Sequence, residues 1–178
     1  MTAQTFPAAP DSEGRHRHRL VVAATAAGEL VETIGGFLCD RASAGWDVSV
    51  VSDGACDVRA LTILGITAQH GCADVAAVLA GIPCGGTVAV SADLLVRDAR
   101  VRAAVARLAD DARTDVAVFG TAPAGLGAAQ AVVHSPSLAA RAFKRYALLA
   151  VDRNRGDAGP TETFYRWSGA AARRLYAV

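Results

Sequence analysis

The sequence predicts an α/β domain: a three-layer, Rossmann-like, mostly parallel sheet of four to five strands with helices on both faces. Three observations carry this. Short apolar runs rich in Val and Ala, the mark of strands buried on both faces, recur along the chain. Segments of helical period lie between them. The first strand, helix and strand together span about 32 residues, the length of a right-handed crossover.

Residues 1–19 read as a disordered arm, polar and broken by Pro7, Pro10 and Gly14. Leu20–Thr25 is a continuous apolar strand. Leu30, Ile34, Phe37 and Leu38 recur at helical spacing over 26–44, and Gly45 stops that helix. Trp46–Ser52 is a second strand. Over 53–86 the pattern blurs: Val58–Ile66 fits a strand or a short helix, and Asp74–Ala80 fits a helix. Thr87–Ser91 is a strand, followed by one helix capped by Asp93, with Leu94, Val101, Val105 and Leu108 on its buried stripe and Asp98/Arg102 as an i,i+4 pair. Asp115–Phe119 is the next strand. Leu138, Ala142, Phe143, Tyr146 and Ala150 then space as one apolar face of a helix over 137–151. The domain is taken as 20–152, with a hydrophilic linker at 153–160 and an appended tail at 161–178.

Composition narrows the function classes. Apolar residues make up 52% of 178, enough for a core, but aromatics are only 6%. No apolar run reaches the ~18 residues of a membrane span. The run 20–24 is too short for a signal-peptide core, so the expected location is the cytoplasm. Cys39, Cys56, Cys72 and Cys84 form no C-x-x-C and read as buried apolar thiols. No metal and no cofactor is expected: His16 and His18 lack a third ligand. His70 and Cys72, two apart, admit a nucleophile pair only if the fold brings them together.

In open parallel sheets, ligands sit beyond the carboxyl ends of the strands. That rule selects Gly28, Asp53, Ser91, Asp93, Gly120 and Thr121 as ligand-binding candidates, with Thr25 beside them. Gly125 and Gly127 join them through the loop G-T-A-P-A-G-L-G, whose amides can form an anion-binding nest. Asp93 and Asp53 also fit plain helix-cap and turn roles. The first strand–helix turn is T-A-A-G-E and not G-x-G-x-x-G, and Glu29 at the helix start repels a phosphate. The 120–127 loop lacks the G-K-[ST] ending of a P-loop, and no catalytic motif is present.

The strand order 20–25, 46–52, 87–91, 115–119 resembles universal stress proteins at the level of fold. Their nucleotide loop after the fourth strand is matched only loosely by D-V-A-V-F-G-T-A-P-A-G-L-G. Ala24–Thr25 stands where that family has an acid, and His134 where it has a glycine. Nucleotide binding does not follow from this likeness, which would also make Tyr146–Val151 a strand.

Charge is lopsided. Residues 1–136 balance at −4 and residues 137–178 at +5. The tail holds Phe164, Tyr165, Trp167 and Tyr176, four of the ten aromatics, interleaved with Arg166, Arg173 and Arg174. Aromatics with arginine are the composition of interface hot spots. The leading expectation is therefore a non-catalytic interaction module that assembles, as a homo-oligomer or with a protein partner, through its C-terminal segment. Its deletion is expected to change assembly more than fold. Nucleic acid and membrane partners are not expected. The alternative is a small-molecule (nucleotide- or anion-) binding protein or enzyme with its site at the strand carboxyl ends.

Overall fold

A computed structural model of the chain describes residues 18–54, 57–68, 74–111, 113–121, 129–151 and 159–168. The expectations for His16, Cys56, His70, Cys72, Gly125, Gly127, Arg173, Arg174 and Tyr176 lie outside them.

Strand β1 (Arg19–Ala24) leads through α1 (Ala27–Ser43) to β2 (Asp47–Ser52). Then come α2 (Val58–Ile63), β3 (Thr67–Ala68), α3 (Val75–Ala80), β4 (Thr87–Ser91), α4 (Ala92–Arg97) and α5 (Ala99–Asp110). The chain continues with β5 (Asp115–Phe119), β6 (Ala129–His134), α6 (Leu138–Val151) and β7 (Glu162–Trp167). The sheet is mixed and seven-stranded, in the order β3-β2-β1-β4-β5-β7-β6. β3 to β5 run parallel, and β7 lies antiparallel between β5 and β6.

Alternation along the strands feeds two cores. Leu20, Val22 and Ala24 of β1 face α1, α2 and α6, whereas Val21 and Ala23 face α3, α4 and α5. This explains the unbroken apolar strands: both faces are covered. The blurred region resolves into two short capped helices. Asp57 accepts from the amides of Arg59 and Ala60, and Asp74 from that of Ala77.

Several expectations are corrected. Among the described residues the sheet has seven strands and is mixed, and the sequence pattern misses β6 and β7. The helix after β4 is two helices, since Asp98 leaves helical geometry and caps α5 through the amides of Arg100 and Val101. Arg102 reaches the carbonyl of Leu95 and not Asp98. Tyr146–Val151 is helix, as the apolar period over 137–151 predicts and the stress-protein likeness does not. The segment read as a tail supplies β7: Phe164 packs on Phe37 with ring centroids 5.0 Å apart, and Tyr165 and Trp167 pack on the opposite core. Arg166 pairs with Asp115 across the strands. These aromatics are spent on their own sheet.

The outer helices are tied to β7 by a buried ion pair. Lys144 Nζ of α6 lies 2.6 Å from Glu162 Oε1 and donates to the carbonyl of Glu32 at 2.7 Å. Glu162 also accepts from the amides of Gly36 and Phe37, in mid-helix of α1, at 2.7 Å each. Position 36 must be glycine: a Cβ there would sit 2.6 Å from Cγ of Pro136.

Candidate functional site at the carboxyl ends of the strands

Parallel register brings four strand ends to one edge. Ala24 pairs with Ser52 on one side of β1, Ala23 pairs with Val90 on the other, and Ser91 pairs with Phe119. Thr25, Ser52, Ser91 and Gly120 therefore converge, and the first turn of α1 brings Glu29 among them.

Glu29 is the centre of the arrangement. Thr25 Oγ1 donates to its Oε2 at 2.8 Å. Ser91 Oγ lies 3.0 Å from Oε1 and 3.2 Å from Oε2. Ser91 also caps α4 by accepting from the amide of Asp93 at 3.2 Å. Gly120, with φ +93°, leaves room for the carboxylate: a Cβ there would lie 2.9 Å from Glu29 Oε1. On the far side, the Ser52 hydroxyl bonds within the turn to Gly54, whose amide donates to it at 3.2 Å. The carboxylate is half-buried and held by two hydroxyls. Such a group can bind an amine or a sugar-like hydroxyl, or take a proton from water.

Of the candidates named from sequence, Ser91 and Gly120 belong to this cluster. Asp93 does not: the cap is Ser91, and Asp93 sits in the first turn of α4, exposed and 3.4 Å from Arg97. Gly28 serves helix packing, because a Cβ there would meet Val151 of α6 at 3.1 Å. Asp53 and Thr121 lie exposed at the ends of β2 and β5. Sequence reasoning treats Glu29 only as a repellent to phosphate and misses it as the central group. Its signal is its place, an acid in the first helical turn after the first buried strand.

A second ionic cluster lies away from the strand ends. Asp40 accepts from His134 Nε2 at 3.0 Å and from the Ser137 amide at 3.1 Å. Burial pushes the Asp40 carboxyl up, but the bonds from Ser137 and His134 outweigh it, and its pKa lies below the ordinary value. A cleft of about 310 Å³ opens at the opposite, amino ends of β1 and β4, lined by Arg19, Ile82, Pro83 and Cys84. A hydrogen bond to Asp111 raises the Cys84 thiol, which disfavours the thiolate.

No family model and no curated protein matches the sequence. Solved structures do match. A deacetylase in complex with teicoplanin, from the biosynthesis pathway of teicoplanin, superposes with a TM-score of 0.58 at 15% identity. It covers 83% of this chain and 97% of its own. A zinc-inhibited form of teicoplanin deacetylase gives 0.59 at 14% identity, with the same coverage. The conserved protein TT1542 from Thermus thermophilus gives 0.53 at 16% identity, covering 84% of this chain and 94% of that one.

Among the described residues, no three His, Cys, Asp or Glu side chains group as a metal would need. The donors that meet around Glu29 among the described residues, its carboxylate and the Thr25 and Ser91 hydroxyls, are not a zinc set. No helix of the described residues is long and apolar enough to cross a membrane.

The likeness to deacetylases overturns the expectation of a non-catalytic module, one expected to act through its C-terminal segment. The described part of that segment is a strand of the sheet. At these identities the likeness establishes a fold, a mixed α/β sheet with helices, and it is a fold that the teicoplanin deacetylases share.

Proposed function

We propose that this chain is a small-molecule enzyme of the deacetylase type, with its site at the carboxyl ends of β1, β4 and β5. The observation that carries the reading is the Glu29 carboxylate held by Thr25 and Ser91 beside Gly120. The fold shared with deacetylases supports it, as does the position of the cluster where parallel Rossmann-like sheets take their ligands. The reading departs from nucleotides and other anions, which a central carboxylate repels. It favours a polar amide whose hydroxyls or amine bond to Glu29, Ser91 and Ser52.

In the reaction, Glu29 takes a proton from water and the hydroxide adds to the amide carbonyl. The carbon–nitrogen bond then breaks, and the proton passes to the departing amine. The products are a carboxylic acid and an amine, which pass a proton between them to give carboxylate and ammonium.

The test is calorimetric titration and acetate release with a panel of N-acetylated amino sugars and glycosides. Binding with acetate release, the release lost in Glu29→Gln while binding remains, is expected. Binding without release by the unaltered chain would remove the hydrolytic reading. A Glu29→Gln variant of undiminished activity would remove Glu29 from it.

A further inference from the structure

The helical period of α6 marks Leu138, Ala142, Phe143, Tyr146 and Ala150 as an apolar face, and such a face is ordinarily the buried one. The structure turns all of it outward except Ala150, which is partly buried against the core. Ala140, Lys144, Ala147 and Leu148 pack inward against α1 and α2. Leu138 is 78% exposed, Tyr146 64%, Phe143 47% and Leu149 39%. Exposed Ala139 and Ala142 lie among them. At 100° per residue these side chains fill one continuous arc of the helix, and arginines, Arg141 and Arg145, lie beyond one of its edges.

We propose that this face binds a second copy of the chain, α6 against α6 in antiparallel sense about a two-fold axis at the level of residue 144. The pattern of sizes points to the copy. Ala139 and Leu149 are equidistant from residue 144, and so are Ala142 and Tyr146. A two-fold copy centred there sets a large side chain against a small one in these two layers, so the large ones interdigitate without collision. Phe143, one residue from the axis, meets the Phe143 of the second copy. Arg145 runs its stem along the seam and keeps its charge in water. Two half-exposed aromatics and two leucines offer about 500 Å². The alanines and arginine stems extend this toward the ~800 Å² that each partner gives to a standard interface. The face is the one that α6 turns away from α1 and α2.

Light scattering and sedimentation of the full chain across micromolar concentrations test this. A particle of twice 18.2 kDa is expected. Tyr146→Glu should weaken self-association about 100-fold, as loss of a central aromatic anchor does. Ala142→Arg should do the same by filling the layer opposite Tyr146. Both should keep the circular dichroism of the unaltered chain and lose the dependence of its Tm on protein concentration. In a Cys84→Ser background, Phe143→Cys should cross-link to its own copy on mild oxidation, whereas Val96→Cys, exposed elsewhere, should not. A chain that stays monomeric overturns the proposal, including one that instead floats with phosphatidylserine vesicles. So does a dimer that Tyr146→Glu leaves intact.

Discussion

Replacing Lys144 by Met should be among the most damaging single changes in this chain. The ammonium is buried with Glu162, 2.6 Å away, and also satisfies the Glu32 carbonyl. Methionine keeps most of the volume, so the change isolates the charge. It leaves a buried carboxylate with two amide donors and no counter-charge. Breaking a buried pair from one side costs about 3–5 kcal/mol. Against a total stability of about 5–15 kcal/mol, that is a large fraction. For a chain of this length it corresponds to a fall of about 6–20 °C in Tm. Urea unfolding followed by circular dichroism measures it, with the midpoint falling and the slope unchanged. The double variant Lys144→Met/Glu162→Gln removes both charges. It should be less destabilised than the two single variants summed, by about 1–3 kcal/mol. A loss below about 1 kcal/mol in Lys144→Met would be the behaviour of an exposed pair and would refute the reasoning.

Gly120→Ala meets both a positive φ and the Glu29 carboxylate. It should cost about 1–3 kcal/mol and weaken ligand binding, read by melting and calorimetry. Asp98→Ala removes the cap of α5 and should cost about 0.5–2 kcal/mol in urea melts. The Asp40 pKa is depressed in the folded state. Its contribution is therefore present above the unfolded carboxylate pKa of about 3.9 and is lost as pH falls through the folded value. Melts from pH 6 downward should show the unaltered chain losing more stability on acidification than Asp40→Asn, and equal losses would contradict this. Ending the chain at residue 160 deletes β7 and should abolish the cooperative transition, which calorimetry would show as a missing heat peak.

The strands β1, β2, β4 and β5 are legible because burial on both faces leaves a continuous apolar run that no helix of a small domain needs. β6 and β7 are not. β6 is an edge strand with a half-exposed pattern, and its continuous apolar run, Ala131–Val133, is only three residues long. In β7, Glu162, Thr163 and Arg166 dilute the aromatics, so the segment reads as a mixed tail rather than as alternation. The period of α6 finds the right face but assigns it to the wrong side. Period alone says which residues share a face, and Lys144 on the opposite face argues for solvent. Only Glu162, 18 residues later, makes burial of that lysine tolerable. The strand-end rule finds the neighbourhood of the site through Ser91 and Gly120. Its favoured acids are Asp53 and Asp93, because a carboxylate at a strand terminus is easier to see than one a helical turn later.

The late part of the chain also governs the site at its beginning. Glu29 stands one turn before Glu32, whose carbonyl is held by Lys144, and two turns before Gly36 and Phe37, whose amides are held by Glu162. The first half of α1 therefore takes its position from α6 and β7 as well as from its own strand. Gly28 adds to this, since its bare Cα lets Val151 close on the N-terminal turn of α1. A side chain there, or loss of the ion pair, would shift the helix that carries Glu29 relative to Ser91 and Gly120, which are fixed by β4 and β5. Bonds of 2.8–3.2 Å from Thr25 and Ser91 leave little tolerance for such a shift. The ion pair thus belongs to the site's geometry although it contacts none of its members, which explains why so costly a buried charge has a place in the fold.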